Sequence, residues 1–258
     1  MSFAIAFAVI VYLKKRQTPF DKVLKVCFGL AIVSEVTKIL SNIEIVPVVK
    51  PVVENGVLVY KEIGSFTPYL EAEHLPFELC SLQILFLFLA LVIKNKKILK
   101  PLYALMYTTC IIGGAMAIIL SSEAPGRSTV ADFACDLTVW RFFIYHIMLV
   151  ALGVYIGISK ECGIRFRDLK TTVALVMAMD FISLYMNSIM STPYYSGNDL
   201  MGVGNAINYF SSYNNPLGIV MSTKGQWMIY LLIRLVLAVI IIALVNLPLL
   251  AKEKKEKK

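Results

Sequence analysis

Between Gln226 and Leu250 the chain reads QWMIYLLIRLVLAVIIIALVNLPLL, with Arg234 its only charge. As a helix, a run of that length and apolarity covers the ~30 Å hydrocarbon core of a bilayer. Six further apolar runs lie near residues 1–13, 22–42, 78–94, 101–120, 139–159 and 171–190. Hydrophobic residues make up 58% of the 258 and charged residues 16%. That mixture is too apolar for a water-soluble domain. The expected fold class is therefore an all-α polytopic membrane protein with seven transmembrane helices, forming one domain over 1–258. No internal repeat or heptad divides it, and the terminal KEKKEKK is its only biased tract. The first run is short for a span. It also lacks the basic start and cleavage site of a secretory signal. Gly113-Gly114 in the fourth run suits close helix contact.

The net charge of +8 does not point to nucleic acid, because the cations sit in clusters between the apolar runs. Lys14, Lys15, Arg16, Lys22 and Lys25 flank the first connection. Lys94, Lys96, Lys97 and Lys100 fill the third, and Lys160, Arg165, Arg167 and Lys170 fill the fifth. Lys252, Lys254, Lys255, Lys257 and Lys258 form the tail. These are alternate connections. The other side holds the acidic loop 43–77, the loop 121–138 with Glu123, Asp132 and Asp136, and the loop 191–225. The positive-inside rule then predicts the N-terminus outside and the C-terminus inside. The basic tail reads first as a cytoplasmic anchor and only second as a specific anionic-lipid site. Cys27, Cys80, Cys110, Cys135 and Cys162 show neither disulfide nor metal spacing. No metal or soluble cofactor is expected.

Ionisable residues inside spans are costly and usually functional. With that orientation, Glu35, Lys38, Glu78, Cys80, Arg141, His146 and Arg234 all fall in the outer half of their spans, and Asp180 lies near the midplane. Such one-sided placement predicts a single polar cavity open to the outer face. Plainer readings stand beside it. Glu35 and Lys38 are one turn apart and can neutralise each other. Lys38 and Arg141 can snorkel to the interface. Asp180 and Arg234 can form a buried pair. Glu78 follows Pro76 in what reads as the first turn of a helix, where a carboxylate is favoured without doing chemistry.

Cys80 and His146 carry the sharper hypothesis. Cys80 sits near a helix start, where the dipole favours thiolate. His146 is the one histidine within a span, and imidazole is the natural base for a thiol nucleophile. His146 equally suits a hydrogen bond between helices. The loop before the last span is rich in neutral polar groups, with Asn205, Asn208, Tyr209, Tyr213 and Asn214. It reads as a plain loop or as a lid over the cavity.

Three stretches resemble the YwaF-type bacterial integral membrane proteins: LPFELCSLQ, FFIYHIMLV, and NYFSSYNNP followed by GQWMIY. Leu75, Pro76, Leu79 and Cys80 match a helix-start motif. Asn208, Tyr209 and Pro216 match a loop motif, and Gly225, Trp227 and Tyr230 match the start of the last helix. That family is similar to eukaryotic transmembrane ether-phospholipid acyltransferases. The resemblance implies Cys80 as nucleophile and His146 as base. Many relatives carry a histidine two residues before the cysteine, where this chain has Glu78.

The expected function is a lipid-modifying membrane enzyme, an acyltransferase or lipid-ester hydrolase working from an outer-facing cavity. Its partners are a membrane phospholipid or lysolipid and the bilayer, with no nucleic acid. Lys38, Arg141 or Arg234 would hold a phosphate, and Asn208 or backbone N–H groups would stabilise the oxyanion. Glu78, Gln83, Glu35, Asp180 and Tyr209 complete the expected substrate-contacting set. The alternatives are a small-solute or ion carrier using the same cavity, and a structural subunit of a larger assembly. A carrier or subunit tolerates loss of the Cys80 thiol, whereas the enzyme does not.

Overall fold

The structure is a computed structural model that describes residues 1–54, 57–119, 136–196, 199–204, 209–211 and 222–256. Seven α-helices lie among them, one at each apolar run. They are α1 (Ser2–Lys15), α2 (Phe20–Asn42), α3 (Leu82–Val92), α4 (Lys96–Ile119), α5 (Leu137–Ile158), α6 (Leu169–Met190) and α7 (Lys224–Glu256). Four of them, α4 to α7, are long and apolar enough to cross a membrane. At ~1.5 Å per residue, α1 and α3 fall short of the ~30 Å core. α2 has the length, but Asp21, Lys22, Lys25, Glu35 and Lys38 make it more polar.

α4 and α5 form the centre. In the membrane-length windows of these two helices 56% and 61% of residues are buried within the protein, against 11% in α6 and α7. The inner pair therefore spends its apolar side chains on protein contact, and the outer pair leaves them for lipid. α1 and α2 both pack on α5, α3 packs between α2 and α4, and α6 and α7 pack on α4. Between apolar helices in lipid the association comes from close packing and polar ties. Both are present. A Cβ added at Gly114 would lie 2.8 Å from Val150 Cγ2 and 2.9 Å from the His146 carbonyl oxygen, so α4 and α5 touch backbone to backbone there. Tyr107 Oη donates to the Val245 carbonyl at 2.7 Å, and Asn246 Nδ2 donates to Thr108 Oγ1 at 3.0 Å, tying α7 to α4.

Two features depart from the sequence expectation. The chain is not all-α. The 43–77 connection contains an antiparallel hairpin, β1 (Glu44–Glu54) with β2 (Val57–Tyr69), interrupted by a bulge after Pro47. A shorter hairpin joins β3 (Thr192–Ser196) to β4 (Asp199–Gly204). The residues of β1 and β2 are rich in Val and Ile, which favour extended backbone. Asn55-Gly56 stands between them, a dipeptide that favours tight hairpin turns. The third helix also starts later than expected, at Leu82 instead of 78. Residues 72–74 form a 3-10 turn, and 75–81 continue as turns and bends. Pro76 therefore lies ahead of the helix, not in its first turn.

Candidate functional site

Asp136 fixes where α5 begins. Its Oδ1 accepts from Thr138 N at 2.7 Å and Val139 N at 3.3 Å, filling the role of an N-cap. Arg141, Tyr145 and His146 follow within the first three turns. Their side chains meet the C-terminal half of α2 and the turn before α3 around a polar cavity of about 500 Å³. Glu35, Lys38, Glu78, Cys80, Arg141 and His146 all line it, joined by Ser34, Asn42, His74 and Tyr145.

Within the cavity some groups are matched and others are not. Lys38 Nζ stands 2.6 Å from Glu35 Oε1, with both side chains largely buried, so this pair is neutral overall. The Cys80 thiol donates to Glu78 Oε2 at 3.6 Å, and the Cys80 carbonyl accepts from Tyr145 Oη at 2.7 Å. His146 is 4% exposed, and its Nδ1 lies 2.7 Å from the Phe142 carbonyl oxygen. A carbonyl only accepts, so Nδ1 carries the proton and Nε2 presents a lone pair. That Nε2 is buried without a hydrogen-bond partner among the described residues, and so is Arg141 Nε. Buried polar atoms are nearly always partnered. Glu35 Oε1, which meets Lys38 as an ion pair only, is the third such atom among the described residues, and all three line this one cavity.

The remaining expected residues lie elsewhere. Asp180 and Arg234 line a separate, mostly apolar cavity of about 410 Å³ between α4, α6 and α7. Arg234 Nη2 meets both Asp180 oxygens, at 2.6 and 2.7 Å, and Nη1 donates to the Phe210 carbonyl. The single cavity expected from the sequence is thus two. The two residues come from neighbouring helices that do not bound the polar site. Gln83 is fully buried and saturated: Nε2 donates to Thr109 Oγ1 at 2.9 Å and Leu79 O at 3.1 Å, while Oε1 accepts from Cys110 Sγ at 3.1 Å. Tyr209 is buried too. Its backbone N and O pair with the Asn187 amide at 2.8 and 3.0 Å, and its hydroxyl donates to the Ala72 carbonyl. It secures the 3-10 turn just upstream of Glu78 and Cys80. Asn208 lies outside the described residues.

Sequence reasoning missed Ser34, Asn42, His74 and Tyr145 as cavity residues. His74 opens the same polar stretch as Cys80, and Tyr145 adjoins His146, so proximity in sequence was the available signal. Among the described residues no group of three or more His, Cys, Asp and Glu is placed to hold a metal ion. The model of the TMEM164 family matches residues 1–246, almost the whole chain. No curated protein matches the chain, and no solved structure does.

Proposed function

The chain belongs to the TMEM164 family, and from that premise we propose that it is a multi-pass cell-membrane enzyme acting on the acyl ester of a phospholipid. In this reading α1, α2 and α3 complete a seven-span bundle, N-terminus out and C-terminus in, and the polar cavity opens to the outer leaflet. The observation that carries the proposal is the tautomer of His146. Its Nε2 lone pair is buried and unpartnered in the same cavity as a thiol.

The resting thiol donates to Glu78. In the first step the thiol proton passes to Nε2 of His146, which lines the same cavity and accepts it as a general base. The thiolate attacks the ester carbonyl carbon. Collapse of the tetrahedral intermediate breaks the ester C–O bond, and the leaving lysolipid oxygen takes the proton from the imidazolium. An acyl thioester remains on Cys80. In the second half a lysolipid hydroxyl, or water, gives its proton to His146 and attacks the thioester. Cys80 leaves and is reprotonated. Arg141, with its uncommitted Nε, is the natural holder of the lipid phosphate. Lys38 is engaged by Glu35 and supplies little net charge. The bond changes balance without a metal, a redox partner or a soluble cofactor.

A small-solute or ion carrier could use the same cavity, and what favours the enzyme is an unpartnered lone pair in the same cavity as a thiol. The test is intact-mass spectrometry of protein in nanodiscs of defined phospholipid. The expected result is an acyl adduct released by hydroxylamine in the wild type and absent in Cys80→Ala. Lipid turnover that survives Cys80→Ala would sink the mechanism. No adduct and no turnover over a range of head groups would favour the carrier.

A further inference from the structure

An apolar groove of about 780 Å³ runs between α1, α2 and α5. On α2 it is lined by Val23, Val26, Cys27 and Leu30. One turn beyond Leu30, the polar cavity begins at Ser34 and continues through Lys38 and Asn42. Positions 23, 27, 30, 34 and 38 form one stripe at i, i+3 and i+4 spacing. The groove and the cavity are thus successive stretches of a single helix face. On α5 the two adjoin as well: Phe143, Ile144 and Ile147 face the groove, whereas Phe142, Tyr145 and His146 face the cavity.

An ordinary amphipathic helix changes polarity around its axis. This α2 face changes polarity along it, apolar first and polar after. An occupant that matches must itself be apolar at one end and polar at the other, and the amphiphile at hand in a bilayer is a phospholipid. From Lys22 to Ser34 is ~18 Å at 1.5 Å per residue, so an acyl chain lying there runs inward from the cavity along the first half of α2. At the far end Arg16, stacked 5.5 Å from the Tyr12 ring, and Lys22 close the groove with charge.

We propose that the groove and the polar cavity together bind one phospholipid, its acyl chain between α1, α2 and α5 and its ester and headgroup beside Cys80 and Arg141. This rests on the cavity being the site of ester chemistry, and it assigns the chain-length selection of that chemistry to Val26, Ile144 and Ile147. A second copy of the chain or a partner helix is the competing occupant.

The experiment uses full-length protein in nanodiscs containing a phospholipid with a diazirine at the end of one acyl chain. After irradiation, cross-linked peptides are mapped by mass spectrometry in the wild type, Val26→Trp and Val236→Trp. Val26 is 55% exposed and Val236, on α7, is 57% exposed, so neither indole displaces the core. The expected result is label concentrated on residues of α1, α2 and α5, falling several-fold in Val26→Trp and unchanged in Val236→Trp. Label spread evenly over α6 and α7 and indifferent to Val26→Trp would overturn the proposal. So would chain-to-chain cross-links through the groove in place of lipid ones. Labelling needs no turnover, so the two ideas fail separately. A labelled groove without a thioester leaves the binding site and removes the enzyme. A thioester without groove labelling does the reverse.

Discussion

Two clusters of charge sit within the apolar helices, and they are finished differently. Around Asp180 and Arg234 no buried side-chain atom among the described residues is left without a partner: one guanidinium meets both carboxylate oxygens and a backbone carbonyl, in an otherwise apolar cavity. Around His146 and Arg141 a buried ring nitrogen and a buried guanidine nitrogen stand unpartnered among those residues. Closed clusters hold helices together. Open ones keep unused hydrogen-bonding capacity. Charge within a membrane segment thus does not by itself indicate a site, and what separates the two cases is whether the hydrogen-bonding capacity is used up.

Swapping roles between the clusters tests that distinction most severely. His146→Gln removes the proposed base and keeps a polar group of similar size. It is expected to slow thioester formation by ~10²–10⁴, with the melting temperature unchanged. A normal rate of acyl-adduct formation in that variant would make His146 a packing residue. Asp180→Ala should do the opposite. Stranding Arg234 is expected to cost ~3–5 kcal/mol of stability, read as a lowered midpoint in denaturant. Thioester formation per folded molecule should stay normal. Asp180→Leu with Arg234→Met, which empties the pair, should recover most of the loss. If the single substitution lowers the rate without lowering stability, the second cluster belongs to the site after all. The smallest effect is expected from Tyr145→Phe, which deletes only the hydrogen bond to the Cys80 carbonyl. That bond is worth ~1 kcal/mol, and Gln83 N still reaches the same oxygen at 3.1 Å. A modest slowing of adduct formation with near-normal stability is the expected measurement.

The seven helices were legible because apolar runs of this length have few other solutions. The late start of α3 was not. Pro76 is a good first-turn residue in isolation, but the 72–74 turn is tied by Tyr209 from far along the chain, and no local pattern reports that bond. The β1–β2 hairpin was readable in principle from its Val and Ile content and from Asn55-Gly56. Reading the whole connection as an acidic loop hid it. At the site, the residues that converge on α2, α5 and the turn before α3 could be gathered by depth in the membrane. Depth sets Asp180 apart only by its place near the midplane and does not separate Arg234 at all, since which cavity a residue lines is fixed only once the helices are placed. Gln83 shows the same limit. Its polarity marked it for substrate, and its saturation by Thr109, Cys110 and Leu79 becomes visible only across the α3–α4 contact.

Gly114 performs no chemistry, yet the helix that carries His146 rests against it, and the nearest atom of that helix's backbone is the carbonyl of His146 itself. Every amino acid reachable from a glycine codon by one nucleotide change brings a Cβ. Hydropathy would register Gly114→Ala as neutral, and a scan of variant alleles should find it nearly as intolerant as Cys80. For this gene the silent-looking positions of greatest consequence are those where nothing is allowed to be present.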